Sequence, residues 1–159
     1  MLAARDLQSI LDILKGMTGV ELALAKVYGR CAEVWKADEA FWLGLERAEM
    51  THAEHIRTMA EIIQRTPDRF QLNRPFNSVA IKTFLSGVEQ NSDRLEKQQI
   101  TREGMLILAR DMETSILEKN YHEIVKTDDL GYLTLVRGIV SDTVRHKNTL
   151  VDKIREGTA

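Results

Sequence analysis

The chain has 159 residues, of which 43% are hydrophobic and 29% charged, and its formal net charge is -2 at pH 7. That length holds one domain with a substantial core, and the near-neutral balance excludes both the basic excess of a nucleic-acid binder and a long acidic tail. A single cysteine, Cys31, excludes an internal disulfide framework and a thiolate metal cluster. The two prolines and nine glycines leave few turns, which favours a few long helices over a sheet. No segment approaches the roughly 20 apolar residues of a membrane span. The N-terminus, MLAARDLQSILDILKG, alternates apolar and charged residues, unlike a signal peptide. The expectation is a cytoplasmic protein with neither nucleic acid nor membrane as a partner.

In chain order, the first helix is expected from about Ala4 to Trp35. Its inward side carries Leu7, Leu11, Leu14, Glu21, Ala25, Tyr28, Ala32 and Trp35. Gly16 and Gly19 weaken its middle by about 1 kcal/mol each relative to alanine. Asp38 is placed to cap a second helix that runs to about Arg65. The short link makes these two helices antiparallel neighbours. Along the second helix, Trp42, Leu45, Glu49, His52, Ile56, Met59 and Ile63 recur at alternating steps of three and four. That is the inward seam of an amphipathic helix.

Pro67 and Pro75 bracket a loop. From Ser78 to about Lys97 a further helix is expected, with Val79, Phe84, Leu85 and Val88 as its apolar residues and a solvated end, NSDRLEKQQ. A third long helix runs from near Thr101 to about Lys126. A fourth, capped by Asp128 or Asp129, continues to about Arg155. The segment from Thr66 to Ile100 is too long for a turn. A helix of about 25 residues is about 38 Å long, and a partly helical link can travel that distance back. The expected fold is all-α: two helices, a long crossover and two helices, in one domain over residues 1–159.

Two of the seven seam positions in the second helix are polar, Glu49 and His52, and both are good metal ligands. Each other long helix supplies one counterpart. Glu21 interrupts the apolar stripe between Leu14 and Ala25. Glu113 interrupts Leu106, Ala109, Ile116 and Ile124. His146 interrupts Val136, Ile139, Leu150 and Ile154, with Thr143 also on that stripe. The halves repeat loosely: a glutamate on one helix, a histidine on the next at similar separation, and a tyrosine after each lone glutamate, at Tyr28 and Tyr121. A pair of divalent irons calls for hard oxygen ligands plus a few imidazoles. Glu and His three apart share one helix face, and buried carboxylates without partners are costly. Glu-x-x-His on two helices with a lone Glu on the other two is the di-iron carboxylate pattern.

GVELALAKVY around Glu21, AEMTHAEH around Glu49 and His52, ARDMETSILEKNY around Glu113 and DTVRH around His146 together resemble the rubrerythrin-like branch of the ferritin-like superfamily. The resemblance spans nearly the whole chain. It implies a ferritin-like four-helix bundle with a long crossover between its second and third helices. It also implies a site for two irons, with zinc or manganese as alternatives, and chemistry on peroxide or dioxygen. The rubredoxin-like domain of full rubrerythrins is absent, since one cysteine cannot form it, so an external electron donor is implied. Homodimerisation is compatible with such bundles, but no residue establishes it.

The pattern breaks on the fourth helix, where Thr143 stands three residues before His146 in place of a glutamate. Three glutamates leave two ferrous ions with excess positive charge, which weakens the second metal or calls for an exogenous anion. Asp142 is the obvious substitute, although it sits about 100° from Thr143 around the helix. The expected ligands are therefore Glu21, Glu49, His52, Glu113 and His146, with Asp142 as a sixth candidate. His55 falls beside the seam, and Glu46 is a reserve ligand for an irregular site. Glu54 and His122 read as surface residues. Tyr28 is either a hydrogen-bond donor near the metals or an ordinary core tyrosine. Cys31 reads as a small buried hydrophobe, and Met50, Met59, Met105 and Met112 as packing residues. Three functions fit: a di-iron oxidoreductase, a metal-binding protein without turnover, and a structural bundle with a degenerate site.

Overall fold

The computed structural model describes residues 2–73, 78–118 and 123–157. Among the described residues the fold is all-α apart from one small ribbon. Its helices are α1 (Ala4–Val34), α2 (Glu39–Arg65), α3 (Ser78–Glu96), α4 (Arg102–Glu118) and α5 (Leu130–Gly157). Strands β1 (Phe70–Leu72) and β2 (Val125–Thr127) pair antiparallel, with Gln71 opposite Lys126. Helix α1 packs along α2 and α4 along α5, while α2 also packs on α5 and α3 lies on α1. One hydrophobic cluster draws residues from all five helices. Among the described residues, no helix is long and apolar enough to cross a membrane.

The α2 seam is buried as its periodicity requires: Trp42, Leu45, Glu49, His52, Ile56, Met59 and Ile63 all lie inside. The α5 stripe behaves alike, from Val136 to Leu150. Helix α1 differs from expectation because it buries two seams rather than one. Of the expected seam Leu14, Glu21, Ala25, Tyr28 and Ala32 are buried, joined by Thr18, while Leu7, Leu11 and Trp35 are half-buried; Ile10, Ile13, Met17, Val20, Leu24, Val27 and Cys31 form a second seam. The extra face is covered in part by α3. Gly16 allows that approach, since a Cβ there would meet Cγ2 of Ile81 at 3.0 Å. The helix runs unbroken through Gly16 and Gly19.

Helix α3 buries Ile81, Val88 and Leu95, which recur every seven residues, and leaves Val79 61% exposed. Of the expected apolar residues Val88 is buried, Phe84 and Leu85 are half-buried against the core, and Val79 faces outward, while the polar run NSDRLEKQQ hides Leu95. The helix closes on Gln98, whose φ of 56° is left-handed. The amides of Gln98 and Gln99 then bond the carbonyls of Leu95 and Arg94, the usual way a helix end satisfies its last acceptors.

The third long helix does not reach Lys126. Helix α4 is described over Arg102–Glu118, and Val125–Thr127 is a strand. The β-branched Val125 and Thr127 suit an extended ladder better than a helix end. The amide of Asn73 bonds the carbonyl of Ile124, and the Thr127 hydroxyl donates to the carbonyl of Arg69. Phe70 is fully buried edge-on against Tyr132 at 5.2 Å. The expectations for Pro75, Tyr121 and His122 lie outside the described residues. Asp129 caps α5 as expected, accepting the Tyr132 amide at 2.9 Å.

Asp38 does not cap α2 through its side chain. Its carboxylate instead takes Arg102 Nε at 2.5 Å and Nη2 at 3.0 Å, with Lys153 Nζ at 3.3 Å. It thereby ties the α1–α2 turn to the start of α4 and the end of α5. The Arg102 hydrogen bonds hold the Asp38 carboxyl below its usual range, against the opposing effect of burial, and Lys153 adds to the depression. A depressed carboxyl stabilises the fold above the unfolded value near 3.9, and the contribution is lost as pH falls through the folded value. Asp38→Asn is therefore expected to lower unfolding stability by about 2 kcal/mol at pH 7. In urea titrations the gap between variant and wild type should close as pH falls through the folded value; a gap that persists at the acid end of the titration would assign the loss to packing instead.

Candidate metal centre

Helices α1, α2, α4 and α5 each bring a buried ionisable side chain to one place in the core. Glu21 is 3% exposed, Glu49 1%, His52 and Glu113 0%, and His146 8%. Buried charges are tolerated only when paired, hydrogen-bonded or bound to metal. The five residues form two groups, Glu21–Glu49–His52 and Glu49–Glu113–His146, each with its ligand atoms within 4.8 Å of one another. Glu49 belongs to both. Its Oε2 lies 3.2 Å from His52 Nδ1, and its Oε1 lies 3.1 Å from His146 Nδ1. Glu21 Oε2 stands 3.8 Å from His52 Nδ1, and Glu113 Oε1 stands 3.8 Å from His146 Nδ1. The two imidazoles stack with centroids 5.6 Å apart.

These groups can hold a metal ion. The donors are carboxylate oxygens and imidazole nitrogens, a set that suits divalent iron, zinc or manganese. Glu21 Oε2 and Glu113 Oε2 are buried without a hydrogen-bond partner, so each has a lone pair left to give. Burial first, then the charge of Glu49, raises the Glu21 carboxyl well above the usual range. A cation there would relieve both effects.

Asp142 occupies a different place. Its Oδ2 lies 3.1 Å from His52 Nε2, the ring nitrogen opposite the carboxylates, and its Oδ1 accepts from Arg145. It stands outside both three-ligand groups. An imidazole held by a carboxylate on one nitrogen presents the other, lone pair outward, to a metal. The sequence brought Asp142 into the site but not into this role, because its angle around α5 says nothing about which face of His52 it meets. Thr143 is 2% exposed, and its hydroxyl donates to the carbonyl of Ile139 at 2.8 Å. It supplies no carboxylate, and its donor is spent within its own helix.

Tyr28 is fully buried and donates to Glu113 Oε1 at 2.8 Å. Burial, then Glu113, raises its phenol well above the ordinary value, so it remains a donor. Glu46 is half-buried beside Gly29 and belongs to neither group. His55 is half-buried with Nδ1 unpartnered, and Glu54 is exposed and paired with Arg57. Cys31 is buried, and its thiol is pushed up to about 12 by burial, which makes it inert. Met50 is 50% exposed rather than packed, as its place one step off the seam dictates. Compared with family models, with curated proteins and with solved structures, the chain matches none.

Burial alone would lower both histidines. The hydrogen bonds and charges of Glu21 and Glu49 outweigh it and lift His52 to about 10, and those of Glu113 and Glu49 lift His146 to about 9. In metal-free protein these cations stabilise the fold fully below the unfolded value near 6.5, and the contribution is lost as pH rises through the folded values. Thermal unfolding of metal-free protein should thus move to lower temperature between pH 6 and pH 10. Zinc affinity should rise over the same interval, because each imidazole must release a proton to bind. Asp142→Asn should weaken zinc by about 10–100-fold, measured by competition with a chromophoric chelator. Unchanged affinity in that variant would show that Asp142 does not orient His52.

Proposed function

We propose that the chain is a rubrerythrin-like member of the ferritin-like superfamily that holds two irons and acts on peroxide or dioxygen. In this reading α1, α2, α4 and α5 form the bundle and α3 is the crossover. The observation that carries it is Glu49, one carboxylate whose two oxygens face two separate three-ligand groups. A shared carboxylate between two such groups is what a pair of metals a few ångströms apart needs.

The residues divide the work. Glu21 and His52 would hold one metal, Glu113 and His146 the other, with Glu49 between them. Asp142 orients His52, and Tyr28 fixes Glu113. The apolar residues around the site exclude water, which strengthens every charge interaction inside it. Two ferrous ions, when bound, supply the electron pair that splits the O–O bond of a peroxide. Re-reduction falls to an external electron donor.

A second reading is a metal-binding protein without turnover, and Thr143 favours it. With no fourth glutamate, a second metal is held less tightly, and zinc or manganese in one group would serve as well as iron. Anaerobic ferrous titration of metal-free protein, with metal analysis after desalting, separates the two. The oxidoreductase retains about two ions per chain, as a di-iron carboxylate site does, and oxidises them rapidly on adding peroxide. Glu49→Gln should then abolish retention of both ions, whereas Glu113→Gln should cost mainly one. A single retained ion with no fast oxidation would establish the binding protein. No retained metal, with Glu49→Gln indistinguishable from wild type, would leave a structural bundle.

A further inference from the structure

The buried Tyr28 hydroxyl is one end of a line of aromatic rings. Its ring centroid lies 5.8 Å from that of Trp42, which is fully buried. Trp42 lies 6.3 Å from Trp35, with the planes tilted by 35°. Trp35 is half-buried where α1 ends. Three oxidisable side chains thus lead from a carboxylate of the candidate metal centre to the surface, each ring near its neighbour. Phe41 also touches Trp42, edge-on at 5.2 Å, but a phenyl ring gives up an electron far less readily. Phe70 and Tyr132 pair with each other.

We propose that Tyr28, Trp42 and Trp35 form a one-electron conduit that carries oxidising equivalents from the metal centre to the surface. The proposal rests on the metal reading above. Its need arises when peroxide meets a site able to give only one electron, as a site holding a single metal would be. Peroxide that takes up one electron splits into hydroxide and hydroxyl radical. The radical takes an electron from Tyr28 and becomes hydroxide, while the phenol proton crosses to Glu113 Oε1, 2.8 Å away.

An electron from Trp42 and the proton returned by Glu113 restore Tyr28. Trp42 Nε1 has no hydrogen-bond partner, so its indole keeps its proton and passes on only an electron deficit. Trp35 refills Trp42. A thiol at the surface refills Trp35, giving up one electron and one proton and ending as a thiyl radical. In sum, hydroxyl radical and thiol become hydroxide, a proton and a thiyl radical. The ligands of the metal centre escape oxidation.

The test maps oxygen adducts by mass spectrometry. Ferrous-loaded protein, its metal content measured after desalting, is treated with hydrogen peroxide without a reductant, beside metal-free protein. Met50, half exposed, reports ordinary solution oxidation in both. Trp35 should carry the main adduct in loaded protein and none in metal-free protein, and added glutathione should remove it. Trp42→Phe should lose the Trp35 adduct and move oxidation to Tyr28 and the ligand histidines. Trp35→Phe, which leaves the buried rings in place, should move it to Trp42. Equal Trp35 oxidation in loaded and metal-free protein, or an adduct map unchanged in Trp35→Phe, would overturn the conduit while leaving the metal reading intact. Failure to retain iron at all would overturn both, and it is read from metal content, before any adduct is counted.

Discussion

The structure turns on one constraint: five ionisable side chains meet at one place in a largely apolar core. Three glutamates and two histidines lie within a few ångströms of one another, each almost wholly removed from water. Left unpaired, groups of this kind would cost several kcal/mol apiece. Their mutual contacts explain why the fold tolerates them. The Nδ1 of each imidazole faces two carboxylates, and Glu49 serves both imidazoles. The arrangement is compact because each helix contributes at the middle of its buried stripe.

Around this centre the contacts grade outward. Tyr28 bonds Glu113 Oε1, the oxygen that faces His146, and Asp142 holds His52 Nε2, the ring nitrogen that the inner group leaves free. Beyond them lie Trp42 and the aliphatic seams, and beyond those the polar ties. Asp38 joins the turn before α2 to α4 and α5. The β1–β2 ribbon fastens the start of the crossover to the segment before α5. Arg69 adds ion pairs to Asp128 and Asp129 at the same end. These ties lie away from the centre, so they fix the spacing of the helices without entering its chemistry.

Much of this was legible in the sequence, for a physical reason. A polar residue inside a strict three-four apolar repeat has nowhere to go but inward, so Glu49, His52, Glu113 and His146 announced their burial. The short link before α2 fixed its antiparallel partner. The parts that were not legible depend on what lies across a gap. Helix α1 carries two apolar seams, and a single-stripe reading cannot find the second without knowing that α3 covers it. The ribbon consists of two three-residue pieces, too short for alternation to declare them. Asp142 shows the same limit at the scale of one side chain. Its chain position places it near His146, but only the packing of α5 on α2 delivers it to the outer nitrogen of His52.

The division of the site between helices bears on how it comes into being. Glu21, Glu49 and His52 all lie on α1 and α2, which neighbour one another in sequence and pack together as an αα-hairpin. Their group is local: it needs only that hairpin. Glu113 and His146 lie on a second hairpin, α4 with α5, so the other group exists only after the two hairpins dock. Contacts close in sequence form fastest, since little chain entropy is lost in closing short loops. The first group is therefore a product of early folding and the second a product of assembly. An ion bound in the first group would stabilise one hairpin, whereas one bound in the second would clamp the two together. Without such a clamp, the seam between α2 and α5 would be held by side-chain packing and by the Glu49–His146 and His52–Asp142 contacts.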